Sequence, residues 1–320
     1  MSAHLWELMR GGLVVQALRV AAELGVADEL ADGPRPIGEL ARRTGANEDV
    51  LRRVMRALAS DGVFSEGEPD VFSNTEESEL LRRGTQWSAF AHFFGGVWNA
   101  ALLEAPHAVR TGEETFGRVF GTGWWEWLTA RPEETALFDR AMQGGAERRV
   151  ESLAEVPWND ETVVDVGGGN GTLLIELLRH NESLRGIVFD LPEVAREAEE
   201  RVAAAGLADR IDVVGGNMFD PVPVGDAYVL AVVLHDWDDD AAARILAQVR
   251  AAGPAHARVL IADAVIPPGN DPHGAKWLDL LMLALNRGRE RTEDEWRALL
   301  ERSGFRIERI EDGLVEARPA

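Results

Sequence analysis

The apolar positions change their period near residue 160. Before it they recur at helical spacing. Leu13, Val14, Ala17, Leu18, Val20, Ala21 and Leu24 make one stripe that predicts a helix, and Gly25 is placed to stop it. Pro36 to Ala41 opens a short helix that Gly45 breaks, and Asn47 stands where it can cap the next, EDVLRRVMRALAS. VFSEGEPDVFS then reads as strand, turn at Gly67 and Pro69, strand. Helix, turn, helix, hairpin is a winged-helix pattern. Residues 86–160 read as mostly helical and unusually aromatic: Trp87, Phe90, His92, Phe93, Phe94 and Trp98 fall in one run, with GTGWWEWL later. Packing is the expected role of most of these rings, and hydrogen bonding or packing that of His92. A minority of the rings is free to line a pocket for a flat substrate.

After residue 160 short apolar runs alternate with amphipathic ones. The predicted strands are TVVDV, RGIVFD, IDVVGG, AYVLAVVL, RVLIADAV, FRIERI and GLVEAR, with helices near 172–180, 193–205, 239–252, 274–287 and 293–303. This alternation predicts a mostly parallel, Rossmann-like α/β sheet of seven strands. The short gap between the last two strands predicts an antiparallel hairpin at its edge. In such sheets ligands bind beyond the carboxyl ends of the strands. Those ends bring forward Asn217 and Met218 after the third strand, His235 at the end of the fourth and Asp263 at the end of the fifth. Glu290 sits in a following loop.

Composition narrows the function. Asp and Glu number 55 against 33 Lys and Arg, a formal net charge of −22, which argues against nucleic acid or an anionic membrane as the main partner. Residues 1–85 carry ten arginines, no lysine and fifteen carboxylates. This opposes a DNA-binding regulator, the function that a winged helix alone suggests. Arg52, Arg53 and Arg56 lie together on the second predicted helix, and a solvated face with local carboxylates accounts for them. Without cysteine there is no disulfide, thiolate nucleophile or Cys–zinc site. The first residues lack the pattern of a signal peptide, and no apolar run reaches transmembrane length, so a cytoplasmic protein is expected.

The strongest local signal is Val163–Thr172, VVDVGGGNGT, a strand, a glycine-rich turn and a helix start. Glycines allow positive φ and close approach to bare backbone. The spacing D-x-G-x-G-x-G is not the dinucleotide fingerprint G-x-G-x-x-G. An acid ahead of the glycines, Asp165, repels a pyrophosphate and suits a cationic ligand. Asp190 ends the next strand, where an acid takes ribose hydroxyls. The acids of HDWDDD are read as helix-opening residues that favour the N-terminal dipole, so no metal is called for.

DVGGGNG, FDLPEV, GGNMFD, LHDWDDD and NRGRERT together, in this order, resemble the plant caffeic acid O-methyltransferase family and its bacterial relatives in natural-product pathways. The resemblance covers nearly the whole chain. It implies a class I S-adenosylmethionine-dependent methyltransferase in three parts: a winged-helix-like dimerisation domain at 1–100, a helical linker lining the substrate pocket at 101–155 and a cofactor-binding catalytic domain at 156–320. It further implies a homodimer, a small aromatic acceptor and no metal. By position, His235 matches the family's catalytic base, with Asp263 (usually Glu in plant members) and Glu290 as flanking acids. Asp165, Gly167 and Gly169 match the methionine-side turn, Asp190 with Leu191 the ribose site, and Asn217 and Met218 the adenine segment. There Asn replaces the usual Asp, and Ala231 stands where the family has lysine. Phe138, Met142 and Met282 match substrate-clamping positions.

The mechanism these residues suggest is removal of a hydroxyl proton by neutral His235, whose unperturbed pKa lies near ~6.5, with a carboxylate holding the imidazole. Methylation of nitrogen, or a relative of this fold that does not use the histidine, is the alternative.

Overall fold

The structure, a computed structural model, describes residues 2–143, 146–311 and 313–320. The chain divides into two compact units, one of residues 1–105 and 116–144, the other of residues 106–115 and 145–320.

In the first unit the apolar stripe forms the helix Gly11–Leu24, capped by Gly25 at φ 66°. The two short helices follow as Ile37–Thr44 and Glu48–Ser60, and the Asn47 side chain accepts the Val50 N–H at 3.1 Å. Strands β1 (Arg35–Pro36), β2 (Phe64–Glu66) and β3 (Val71–Asn74) form a small antiparallel sheet in the order β1-β3-β2, the expected wing. Leu40, Leu51, Met55, Leu58, Phe64 and Phe72 fill the core between helices and wing. Each arginine of the second helix has a carboxylate: Arg52 reaches Glu48 and Asp70, Arg53 reaches Asp49, and Arg56 reaches Asp70. These cations are engaged within their own unit rather than held out for phosphates.

The aromatic residues of this unit pack on one another. Phe93, Trp98, Phe116, Trp124 and Trp127 are buried, and Trp124 and Trp127 stack at 5.8 Å with planes 14° apart. His92 bonds Glu134 at 3.0 Å and lies 3.5 Å from Glu23, which ties three helices together.

In the second unit seven strands, β4 (Thr162–Val166), β5 (Arg185–Asp190), β6 (Ile211–Gly215), β7 (Ala227–Ala231), β8 (Arg258–Ala262), β11 (Phe305–Glu311) and β12 (Leu314–Pro319), form one sheet. Its order is β11-β12-β8-β7-β4-β5-β6, parallel except for β11 and β12, which run antiparallel at the edge. The period of two sorts the side chains. Val163, Val229 and Leu260 face the cluster with Leu174, Leu177, Ala198 and Val202. Val164, Tyr228, Leu230 and Ile261 face the opposite cluster with Ile245, Leu246, Trp296 and Leu299.

Two strand ends differ from expectation. The fourth strand does not run to His235: β7 stops at Ala231, Val232 turns to φ 58°, and His235 sits in a 3-10 turn, Leu234–Asp236. A β-branched residue at positive φ cannot continue a strand. The fifth strand likewise stops one residue short of Asp263. Beyond it, β9 (Val265–Ile266) pairs in parallel with β10 (Arg291–Thr292), two residues each, too short for a periodicity to announce. Among the described residues no helix is long and apolar enough to cross a membrane.

Candidate active site

The glycine turn after β4 forms as the spacing requires. Gly167, Gly169 and Gly171 have φ of 74°, 56° and 77°, the left-handed region that glycine enters without penalty. A Cβ on Gly168 would stand 2.8 Å from an Asp165 carboxylate oxygen, and one on Gly167 2.8 Å from Val233 and 3.4 Å from Met218. The turn is therefore pressed against Asp165, Val233 and Met218. A Cβ on Gly169 would meet nothing within 4 Å, so this glycine borders open space.

Asp165 is 2% exposed and its Oδ2 has no hydrogen-bond partner. Burial, and then the nearby charge of Asp190, push its pKa up to about 7 against a lowering pull from Arg149. A buried carboxylate with an unmet oxygen is set to receive a cation. Asp190 accepts the Gly169 N–H at 2.8 Å on one oxygen and the Leu191 N–H at 2.6 Å on the other. It thus fixes the turn and keeps lone pairs for a ligand. Burial raises its pKa and these backbone donors oppose the rise. Asn217 is exposed, and its Oδ1 accepts the Phe219 N–H at 3.0 Å, which leaves its amide N–H groups to face outward. A buried carboxylate with an unmet oxygen, a second carboxylate on the next strand and a bare glycine backbone between them make a polar cradle at the strand ends.

One strand over, the 3-10 turn carries His235. Its Nδ1 bonds Glu290 Oε1 at 2.7 Å, and its Nε2 lies 3.7 Å from Asp236 Oδ1. Asp263, also buried, follows the end of the adjacent strand. Its carboxylate oxygens lack well-formed hydrogen bonds, and only a weak interaction with the His235 backbone N–H reaches them. Burial alone would lower the imidazole pKa. The charges of Asp236, Glu290 and Asp263 outweigh it and raise the value to about 10. The three carboxylates thus favour the protonated imidazole over the neutral one. Burial also raises Asp236, to about 6, against the opposing pull of His235 and the Asn286 amide.

The structure thus groups His235, Glu290, Asp263 and Asp236 in one cluster, and Asp165, Gly167, Gly169, Asp190, Leu191 and Met218 in another around the glycine turn. Met282 is buried in the helix Ala275–Asn286, which packs on the 3-10 turn. Phe138 and Met142 lie in the first unit, on the helix Pro132–Gln143, where Phe138 packs edge-on against Trp124 at 5.5 Å. Sequence reasoning missed Asp236, although it adjoins His235. It also missed Arg149, which acts electrostatically on both Asp165 and Asp263. No local pattern marks a cation that lies 16 residues before the acid it faces.

An acid-first glycine turn on one strand and a histidine–carboxylate cluster beyond its neighbour define the class as a Rossmann-like methyltransferase. The chain belongs to the O-methyltransferase family: the O-methyltransferase domain model matches residues 102–306, and the O-methyltransferase dimerisation domain model matches residues 6–84. Phenazine O-methyltransferase PhzM of Lysobacter antibioticus is 43% identical over 333 residues, covering 100% of this chain and 96% of that protein. An 8-amino-8-demethylriboflavin N,N-dimethyltransferase of Streptomyces davaonensis is 37% identical over 305 residues, covering 92% of this chain and 87% of that protein. Among solved structures, the O-methyltransferase NcsB1 from neocarzinostatin biosynthesis, in complex with S-adenosylmethionine and 2-hydroxy-5-methyl naphthoic acid, aligns with a TM-score of 0.85. It shares 34% identity and covers 96% of each chain.

Proposed function

We propose that this chain moves the methyl of S-adenosylmethionine to a hydroxyl of a small aromatic natural-product intermediate, with His235 as the general base. The observation that carries the reading is the buried His235–Glu290 pair, one strand away from a buried carboxylate with one oxygen that accepts no hydrogen bond. When bound, S-adenosylmethionine supplies a methyl already made electrophilic by its sulfonium. Asp165 receives the ammonium of its methionine part, Asp190 the ribose, and Asn217 and Met218 flank the adenine. In its base form His235 keeps the Nδ1 proton on Glu290 and presents the Nε2 lone pair. Nε2 would take the hydroxyl proton while the oxygen bonds the methyl carbon, the carbon–sulfur bond giving its electron pair to sulfur and S-adenosylhomocysteine leaving, and Glu290 with Asp263 would stabilise the imidazolium that results. Met282, on the helix that packs on the histidine turn, bears on the acceptor ring. We further propose a homodimer formed through the first unit. The support is the dimerisation-domain match and the exposure of Leu5, Trp6, Leu8, Met9 and Leu13 on its opening helices.

The test is transfer of labelled methyl from S-adenosylmethionine to a panel of hydroxylated aromatic acceptors, run beside amine-bearing analogues. Labelled methyl ether supports the reading, and transfer to amines alone refutes it. Methylation of nitrogen is the second reading. Two features favour it: a relative that is an N,N-dimethyltransferase, and carboxylates around His235 that raise its pKa and so oppose its base form, since a neutral amine needs no base before attack.

A further inference from the structure

Arg291 is fully buried, yet its contacts belong to no ligand surface. Its Nη1 donates to the Leu234 carbonyl at 2.9 Å and its Nη2 to the Trp237 carbonyl at 2.9 Å. These are the residues just before and just after His235 and Asp236. Its Nε donates to Asp239 at 2.9 Å, on the first turn of the next helix, and its guanidinium lies over the Trp296 ring at 5.0 Å. The planar fork of arginine is thus used on three sides of one short turn, a geometry that the point charge of lysine does not reproduce.

The segment that carries Arg291 grips the same turn elsewhere. The Arg289 N–H donates to the His235 carbonyl at 2.7 Å, the Asn286 amide donates to Asp236 at 3.0 Å, and Glu290 holds the imidazole. A Cβ on Gly288 would overlap the His235 carbonyl oxygen and stand 2.8 Å from the Asp236 carbonyl carbon, so the two backbones are in direct contact. Val232, three residues before His235, has φ 58°, and Arg287, next to Gly288, has φ 60°. Non-glycine residues in this uncommon region persist only where their surroundings hold them. Burying a guanidinium is costly unless every donor is met. Here the donors go to the backbone that aims the histidine.

We propose that Arg291 is a positioning residue. Its fork holds the Leu234–Trp237 turn so that His235 Nδ1 meets Glu290 and Nε2 faces the acceptor. The proposal rests on the reading of His235 as the base, and its test separates the two.

Arg291→Lys is compared with His235→Gln and with the double variant, with kcat, the Kd for S-adenosylhomocysteine and the nuclear magnetic resonance of 15N-labelled histidine as readouts. Arg291→Lys lowers kcat by about tenfold to a hundredfold, the scale of a small misplacement at a reacting centre. It leaves Kd within about twofold and removes the downfield signal of the Nδ1 proton shared with Glu290. The double variant is no slower than His235→Gln, because residues acting through one group are not additive. Wild-type kcat with the proton signal intact in Arg291→Lys overturns the proposal, as does a loss that adds in full to that of His235→Gln. If His235→Gln keeps wild-type kcat, the base reading fails, and the proton signal alone then decides the positioning role. Should Arg291→Lys not fold, Asp239→Asn, which removes the partner of Nε, must weaken the same signal and lower kcat without moving Kd.

Discussion

At the scale of single residues, charge decides the behaviour of the site. His235 faces Glu290 at Nδ1, Asp236 at Nε2 and Asp263 from the next strand, and its pKa rises to about 10. A histidine raised above its unfolded value contributes stability that is fully present below about pH 6.5. That contribution is lost as pH rises through about 10. Catalysis runs the other way, because the base form exists only once the proton has gone. The expected kcat profile therefore climbs from neutral into alkaline solution, with a midpoint above 6.5, and a plateau already reached at pH 7 would contradict it. His235→Gln lowers kcat by about 10²–10⁴-fold, with the affinity for S-adenosylhomocysteine nearly intact by calorimetry. Asp165 has the opposite logic. Its pKa, raised to about 7, means that the folded chain holds a proton the unfolded chain gives up at lower pH. The buried carboxylate thus costs stability that builds from about pH 4, where the unfolded chain ionises, and is full above about pH 7. A ligand cation relieves that cost, so cofactor affinity weakens as pH falls below about 7, by at most about tenfold per pH unit, with one proton released on binding. Calorimetry in buffers of different ionisation enthalpy measures that proton, and Asp165→Asn abolishes both the release and the pH dependence.

At the scale of elements, two short segments meet: Leu234–Asp239, which runs from the 3-10 turn into a helix, and Asn286–Thr292, which runs from a helix end into β10. What the sequence shows of them is uneven. The glycine turn after β4 is legible because its acid, glycines and helix are consecutive. The parallel order and the edge hairpin are legible because apolar period and spacing are local. His235 and Glu290 come forward through resemblance, but their 2.7 Å contact spans 55 positions, and no period encodes it. Arg291, Gly288 and Val232 stay hidden for the same reason. Arg291 and Gly288 read as ordinary loop residues, and Val232 as part of a strand, until the opposing backbone is in view. Strand ends fail too, since AYVLAVVL stays apolar through the point where Val232 turns away. Gly288→Ala is the sharp probe of this junction. The added methyl meets backbone rather than a pliable side chain, and overpacking of this kind costs about 1–3 kcal/mol. We expect a lower melting temperature and a fall in kcat that exceeds any loss of cofactor affinity. Unchanged kcat would show that the two segments move apart at no consequence to the histidine.

At the scale of the whole molecule, the first unit opens with helices on which Leu5, Trp6, Leu8, Met9 and Leu13 are each more than half exposed. In the proposed dimer this surface is covered. Trp6→Glu combined with Leu8→Glu should shift the mass from dimer to monomer by light scattering at micromolar concentration. A wild-type chain that is already monomeric there refutes the assembly. The ten tryptophans divide unequally: Trp6, Trp87, Trp98, Trp124, Trp125 and Trp127 belong to the first unit, and Trp158, Trp237, Trp277 and Trp296 to the second. The near-parallel stack of Trp124 and Trp127 is therefore also an optical element. Two indoles at that separation couple their excited states, so the near-ultraviolet circular dichroism and the total emission report mainly on the first unit. A loss of order confined to the second unit would change the total emission less, and Trp237, two residues beyond the histidine, is the local reporter for such a change.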